Sequence, residues 1–139
     1  MKKLLLFLTL ACSTQAHAVE INLDAIAQIE SSGNPGAHNK RSDCRGLYQI
    51  HPRGALTDWN TYHPGETYTP DQLFDPQVNT RIADWYLHSR IPAMLTHYRL
   101  PITTQSVLWA YNAGIGRVKA GIMPTETKNY IIKYERITK

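Results

Sequence analysis

Apolar positions recur along this chain at the three-and-four spacing of helices. Leu23, Ile26, Ala27 and Glu30 share one helical face, with Asn22 as the cap and Asp24 in the first turn. Ser31-Ser32-Gly33-Asn34-Pro35-Gly36 ends that helix and opens a polar loop to about Arg45. Residues 46–50 form a short apolar run, either a strand or a helical turn, closed by His51-Pro52. Residues 53–72 are rich in Gly, Pro, Thr and Tyr and read as irregular. Asp75-Pro76 then starts a helix on which Val78, Ile82, Trp85 and Tyr86 recur, and Pro92 is expected to break or kink it. Thr103 or Thr104 opens another through Val107, Leu108 and Tyr111, ending near Gly114. Thr125 is expected to cap a last helix carrying Tyr130, Ile131 and Tyr134. The outline is one mostly α domain, with Ile26, Trp85 and Trp109 in its core.

The amino terminus follows another pattern. Met1-Lys2-Lys3 is basic, residues 4–11 are apolar, and Ala16-His17-Ala18 has the small-x-small form of a cleavage site. This predicts a secretory signal over residues 1–18, a mature domain over 19–139 and a periplasmic location. The apolar run falls short of the roughly 20 residues of a permanent span. An uncleaved anchor is one alternative. Another is lipidation at Cys12, for which Thr9-Leu10-Ala11-Cys12 is a loose match and ranks second. Removal of the leader leaves Cys44 with no intrachain partner, so no disulfide is expected.

Composition narrows the classes. Hydrophobic residues make up 42% and charged residues 19%, as in globular chains. The net charge of +4 includes Lys2 and Lys3, and residues 19–139 hold 13 basic and 11 acidic side chains. With no basic stripe and no interleaved aromatics, nucleic acid is not an expected partner. The histidines and cysteines match no metal-ligand spacing, so no metal and no cofactor are expected.

Glu30 is the candidate acid. In line with an apolar stripe its carboxyl is partly desolvated, which raises its pKa toward the range of a general acid. Four blocks extend the argument. They are residues 25–35 ending in Glu30-Ser31-Ser32-Gly33-Asn34-Pro35, Arg45-Gly46-Leu47-Tyr48-Gln49-Ile50, residues 110–118 with Ala110-Tyr111-Asn112-Ala113-Gly114, and Glu126-Thr127-Lys128-Asn129-Tyr130. In this order, with Leu73-Phe74-Asp75-Pro76 between them, they resemble the transglycosylase SLT family of lysozyme-like lytic transglycosylases.

The resemblance implies a lysozyme-like fold, a helical bundle around a saccharide-binding cleft. It implies cleavage of the bond between N-acetylmuramic acid and N-acetylglucosamine in peptidoglycan, with Glu30 as acid and then base and a 1,6-anhydro sugar as product. Substrate contacts would fall to Ser31, Tyr48, Gln49, Tyr111, Asn112 and Tyr130, with Tyr130 orienting Glu30 and Ser31 steadying its loop. Peptidoglycan glycan strands are the expected partner, along with an envelope-spanning secretion, conjugation, pilus or phage system, and the protein is expected to be a monomer. The sequence departs from the family pattern between Asn34 and Gly46, where Asp43 stands as a second carboxyl. Were Asp43 to face the cleft, it would position water and make the enzyme a hydrolase. A non-catalytic glycan-binding or assembly component is the reading from outside enzymology.

Overall fold

The computed structural model describes residues 18–139 and is mostly helical. The predicted leader up to residue 17, with Cys12, lies outside the described residues. Asn22 caps α1 (Leu23–Ser31), its Oδ1 accepting from the Ala25 N–H at 3.0 Å. Ser32, left-handed at φ 55°, closes the helix by donating its N–H back to Gln28 O. The polar loop that follows contains a two-residue antiparallel hairpin, β1 (His38–Asn39) and β2 (Cys44–Arg45), with His38 opposite Arg45.

Residues 46–50 are neither strand nor helix. They form consecutive turns closed by a bridge between Arg45 and Ile50, because Gly46 and Gln49 both take positive φ. The irregular reading of residues 53–72 also needs correction. A wide turn over Pro52–Leu56, broken at Gly54, leads into α2 (Thr57–Tyr62), and a 3-10 turn covers Pro70–Phe74. At six residues, α2 is too short to display a helical period, and of its residues only Trp59 is buried.

Asp75 caps α3 (Pro76–Trp85) as expected, accepting from the Gln77 and Val78 N–H groups. Pro92 does not end the helical path. A π-type turn over Tyr86–Arg90 passes directly into α4 (Ile91–His97), the Ile91 N–H reaching back five residues to Tyr86 O. The wide turn accommodates a residue that has no N–H to give. Thr103 caps α5 (Thr104–Ala113) in a reciprocal bond with Ser106. Gly114, at φ 86°, turns the chain straight into α6 (Ile115–Lys119), a helix the sequence pattern misses. In α7 (Thr125–Thr138), Thr125 is the first helical residue and not the cap. Pro124 stands before it, its carbonyl accepting from the Lys128 N–H at 3.0 Å.

Ile26, Leu73, Ile82, Leu87, Ile91, Leu95, Val107 and Leu108 are fully buried and form the centre of the core. Trp85 and Trp109, expected there, are only half-buried. Trp85 meets Trp59 edge-on at the periphery, and the Trp109 indole N–H donates to Ile122 O.

One polar side chain lies within this core. Asn79 of α3 is fully buried, and its amide takes three partners from other segments. Its Oδ1 accepts from the Tyr48 N–H at 2.8 Å, while its Nδ2 donates to Arg45 O at 2.9 Å and Leu73 O at 2.8 Å. Gly46 passes so close that a Cβ there would lie 2.3 Å from Leu73 O and 2.4 Å from Asn79 Nδ2. Only glycine fits. Asn79→Ala would leave buried backbone groups unpaired, so urea denaturation should report a loss of about 3 kcal/mol. A loss within about 0.5 kcal/mol would contradict the clamp.

Candidate active site

Glu30 occupies the last full turn of α1, on the face it shares with buried Ile26. The helix ends one residue later because Ser31 bonds outward. Its Oγ reaches Leu47 O at 2.8 Å and accepts from the Asn34 N–H at 3.1 Å. Ser31 therefore ties α1 to the segment after β2. It lines none of the cavities around Glu30, which corrects its assignment as a substrate contact.

Two cavities meet at Glu30, of about 560 Å³ and 450 Å³. Glu30, Asn112 and Glu126 line both. The larger runs between the β1–β2 hairpin, with Asn39, Ser42 and Cys44, and the end of α5, with Ala110, Tyr111 and Asn112. Gln49, His51 and Tyr86 complete it, Tyr86 standing at the first position of the π-type turn. The smaller is bounded by Ile29 and by Asn129, Tyr130 and Lys133 of α7. Two hollows of about 590 Å³ and 580 Å³ lie around Leu23 and Asp84, and Glu30 lines neither.

Burial pushes the Glu30 carboxyl up from 4.5 to about 7. The Tyr130 phenol pulls the other way by favouring the carboxylate, and the nearby charge of Glu126 adds a small upward push. Tyr130 Oη is itself buried, and no hydrogen bond of good geometry satisfies it. Burial first, and then the charge of Glu30, hold its pKa well above the usual tyrosine value, so it stays a phenol.

The other expected residues divide. Asn112 Oδ1 accepts from buried Thr127 at 2.7 Å, leaving Nδ2 as the donor at the cleft wall. Gln49 Nε2 donates to Gly46 O at 3.0 Å and Ala37 O at 3.3 Å, leaving Oε1 as the acceptor. Tyr111 lines the cleft but commits its hydroxyl to Tyr48 O at 2.6 Å. Tyr48 is only 5% exposed and lines none of the cavities, which corrects its reading as a sugar platform. Its backbone, held by Asn79 and Tyr111, directs its ring into the core.

Asp43 also lies outside the cleft. Its carboxylate binds His38 Nε2 at 2.9 Å and Arg45 Nε at 3.0 Å, and Arg45 with His38 holds its pKa below the usual aspartate value. Glu126 and Cys44, by contrast, line the cleft without having been singled out. The signal for Glu126 was present: it lies four residues before Tyr130 on one face of α7.

Glu30 binds its proton more tightly in the folded state, so its contribution to stability is full below about pH 4.5. That contribution is lost as pH rises through about 7. Glu30→Gln keeps the shape and removes the titration. Thermal melts should match wild type near pH 4, and above pH 7 the variant should be the more stable by up to about 3 kcal/mol. A pH-independent difference would mean that the carboxyl is not desolvated.

The model of the transglycosylase SLT domain matches residues 11–133. No curated protein and no solved structure matches the chain. With the match spanning nearly the whole chain and a helical fold around a cleft acid, the protein belongs to the transglycosylase SLT domain family, the lysozyme-like lytic transglycosylases that degrade peptidoglycan.

Proposed function

We propose that the protein cleaves the β-1,4 bond between N-acetylmuramic acid and N-acetylglucosamine without water, leaving a 1,6-anhydro end, with Glu30 as acid and then base. The observation that carries this is a single desolvated carboxyl of pKa about 7 where two cavities meet. At pH 7 a carboxyl of ordinary pKa is protonated about once in 300, whereas Glu30 is protonated about half the time. Glu30 gives its proton to the glycosidic oxygen as the bond to the anomeric carbon breaks. The substrate's acetamido oxygen shields the positive charge, so no second carboxyl is required. The Glu30 carboxylate then takes the proton of the C6 hydroxyl as that oxygen closes on the anomeric carbon. The acid is regenerated and no water is consumed.

Gln49 Oε1 and Asn112 Nδ2 offer an acceptor and a donor, the complement of an acetamide N–H and C=O. Tyr130 orients Glu30 and eases its passage through the carboxylate. The engagement of Asp43 with His38 and Arg45 supports this route over attack by water. The basic, apolar and small-residue pattern of residues 1–18 supports a periplasmic setting, where we place the enzyme in service of an envelope-spanning machine.

Digestion of purified peptidoglycan should release products one water lighter than ordinary muropeptides by mass spectrometry, and Glu30→Gln should release none. Products with ordinary reducing ends would overturn the anhydro route. The rate should fall as pH rises through about 7, when Glu30 loses the proton that it donates. Tyr130→Phe removes the group that favours the carboxylate, so its falling limb should move to higher pH. An unmoved limb with an unchanged rate would leave Tyr130 a packing residue.

A further inference from the structure

We propose that the cleft continues past Glu30 into a basic groove between α1 and α7, which holds carboxylate groups carried by the muramic sugars of the substrate. The inference rests on the proposed substrate and concerns what the site reads beyond the scissile bond. A glycan cut within its length must extend on both sides of the acid, and both sides of Glu30 have room for it. The smaller cavity does not end at Lys133. Ile29 and Lys133 also line a third cavity of about 400 Å³, whose far wall carries Arg136.

Charge changes sign along this path. Glu30 and Glu126 stand at the junction, and Lys133 and Arg136 follow on α7. Glu126, Asn129, Lys133 and Arg136 are three or four residues apart, so one stripe of the helix faces the groove. Among the described residues, neither Lys133 nor Arg136 has an ion-pair partner. Two unpaired cations along one groove suit an anion.

The substrate has anions to offer. Each muramic sugar bears a lactyl ether, whose carboxyl is either free or joined to a peptide with carboxylates of its own. The acid end of the path meets the bond to be protonated. The basic end meets these substituents and sets which way along the strand the muramic sugars face.

The test measures dissociation constants in the inactive Glu30→Gln background, with and without Lys133→Gln and Arg136→Gln together. The probes are a peptide-bearing glycan fragment, the same fragment stripped by an amidase to its free lactyl carboxylate, and a neutral N-acetylglucosamine oligomer. The peptide-bearing fragment should lose about tenfold in affinity at low salt, about threefold for each exposed charge. The loss should shrink at high salt, and the neutral oligomer should bind unchanged. A loss shared by the stripped fragment means that the groove takes whichever carboxylate the muramic sugar presents, free lactyl or peptide, and one confined to the intact fragment assigns the contact to the peptide. Equal losses on all three probes, or none, would overturn the groove. Since these are binding readouts, absence of product from the wild type would sink the catalytic reading without altering this one.

Discussion

The site depends on where the backbone of residues 45–48 is held. Three helices each spend one side chain on it. Ser31 of α1 donates to Leu47 O, Asn79 of α3 brackets it through Arg45 O and the Tyr48 N–H, and Tyr111 of α5 donates to Tyr48 O. The segment cannot form a ladder, because Gly46 and Gln49 have positive φ, so its buried polar groups take side-chain partners instead. The outcome is a rigid corner from which Gln49 reaches the cleft, facing Glu30 and Asn112 from the other elements. Loss of one strut would move the corner and leave the opposing groups unpaired, so the cleft's shape and the core's polar satisfaction are a single constraint.

Glu30 shows the opposite economy. Burial and the charge of Glu126 both oppose the carboxylate, and only the Tyr130 phenol favours it. A stability-minded design would place a hydrophobic or amide side chain there. The Tyr130 hydroxyl is a second such concession, buried without a good partner. The Tyr130 hydroxyl adjoins the Glu30 carboxyl, and ionising Glu30 supplies the acceptor that the hydroxyl lacks. The carboxylate left when Glu30 gives up its proton therefore has a donor at its own site.

How much of this was legible depends on periodicity and spacing. Glu30 could be found because α1 has a cap, nine residues and a clear apolar stripe, enough to predict which face is dry. Tyr48 and Ser31 do not line the cleft, since proximity in a motif says nothing about facing, while the loop-steadying role expected of Ser31 fits its bonds to Leu47 O and the Asn34 N–H. Gln49 and Tyr48 are neighbours, yet the positive φ at Gln49 sends one to the cleft and the other to the core. Asp43 is directed by Arg45, a pairing that its neighbourhood in sequence allows, and by His38 of the facing strand, which no local pattern encodes. The elements missed, α2 and α6, have six and five residues, too few for a helical period to emerge.

The arrangement also bears on the proposal that one carboxyl suffices. A second acid poised to activate water would have to sit across the scissile bond, where the larger cavity is lined by Asn39, Ser42, Cys44 and Gln49, none of which is a carboxyl. Glu126 lines the cavity too, but it stands beside Glu30 and acts on it chiefly by raising its affinity for the proton. The carboxylate that might have faced Glu30 from the hairpin is Asp43, and its ion pairs with His38 and Arg45 hold the hairpin instead. A cleft built this way can protonate a leaving oxygen and take a proton back through the same carboxyl. Under the proposed reading, what closes on the anomeric carbon comes from the sugar itself, which is the chemistry that separates a transglycosylase from a lysozyme.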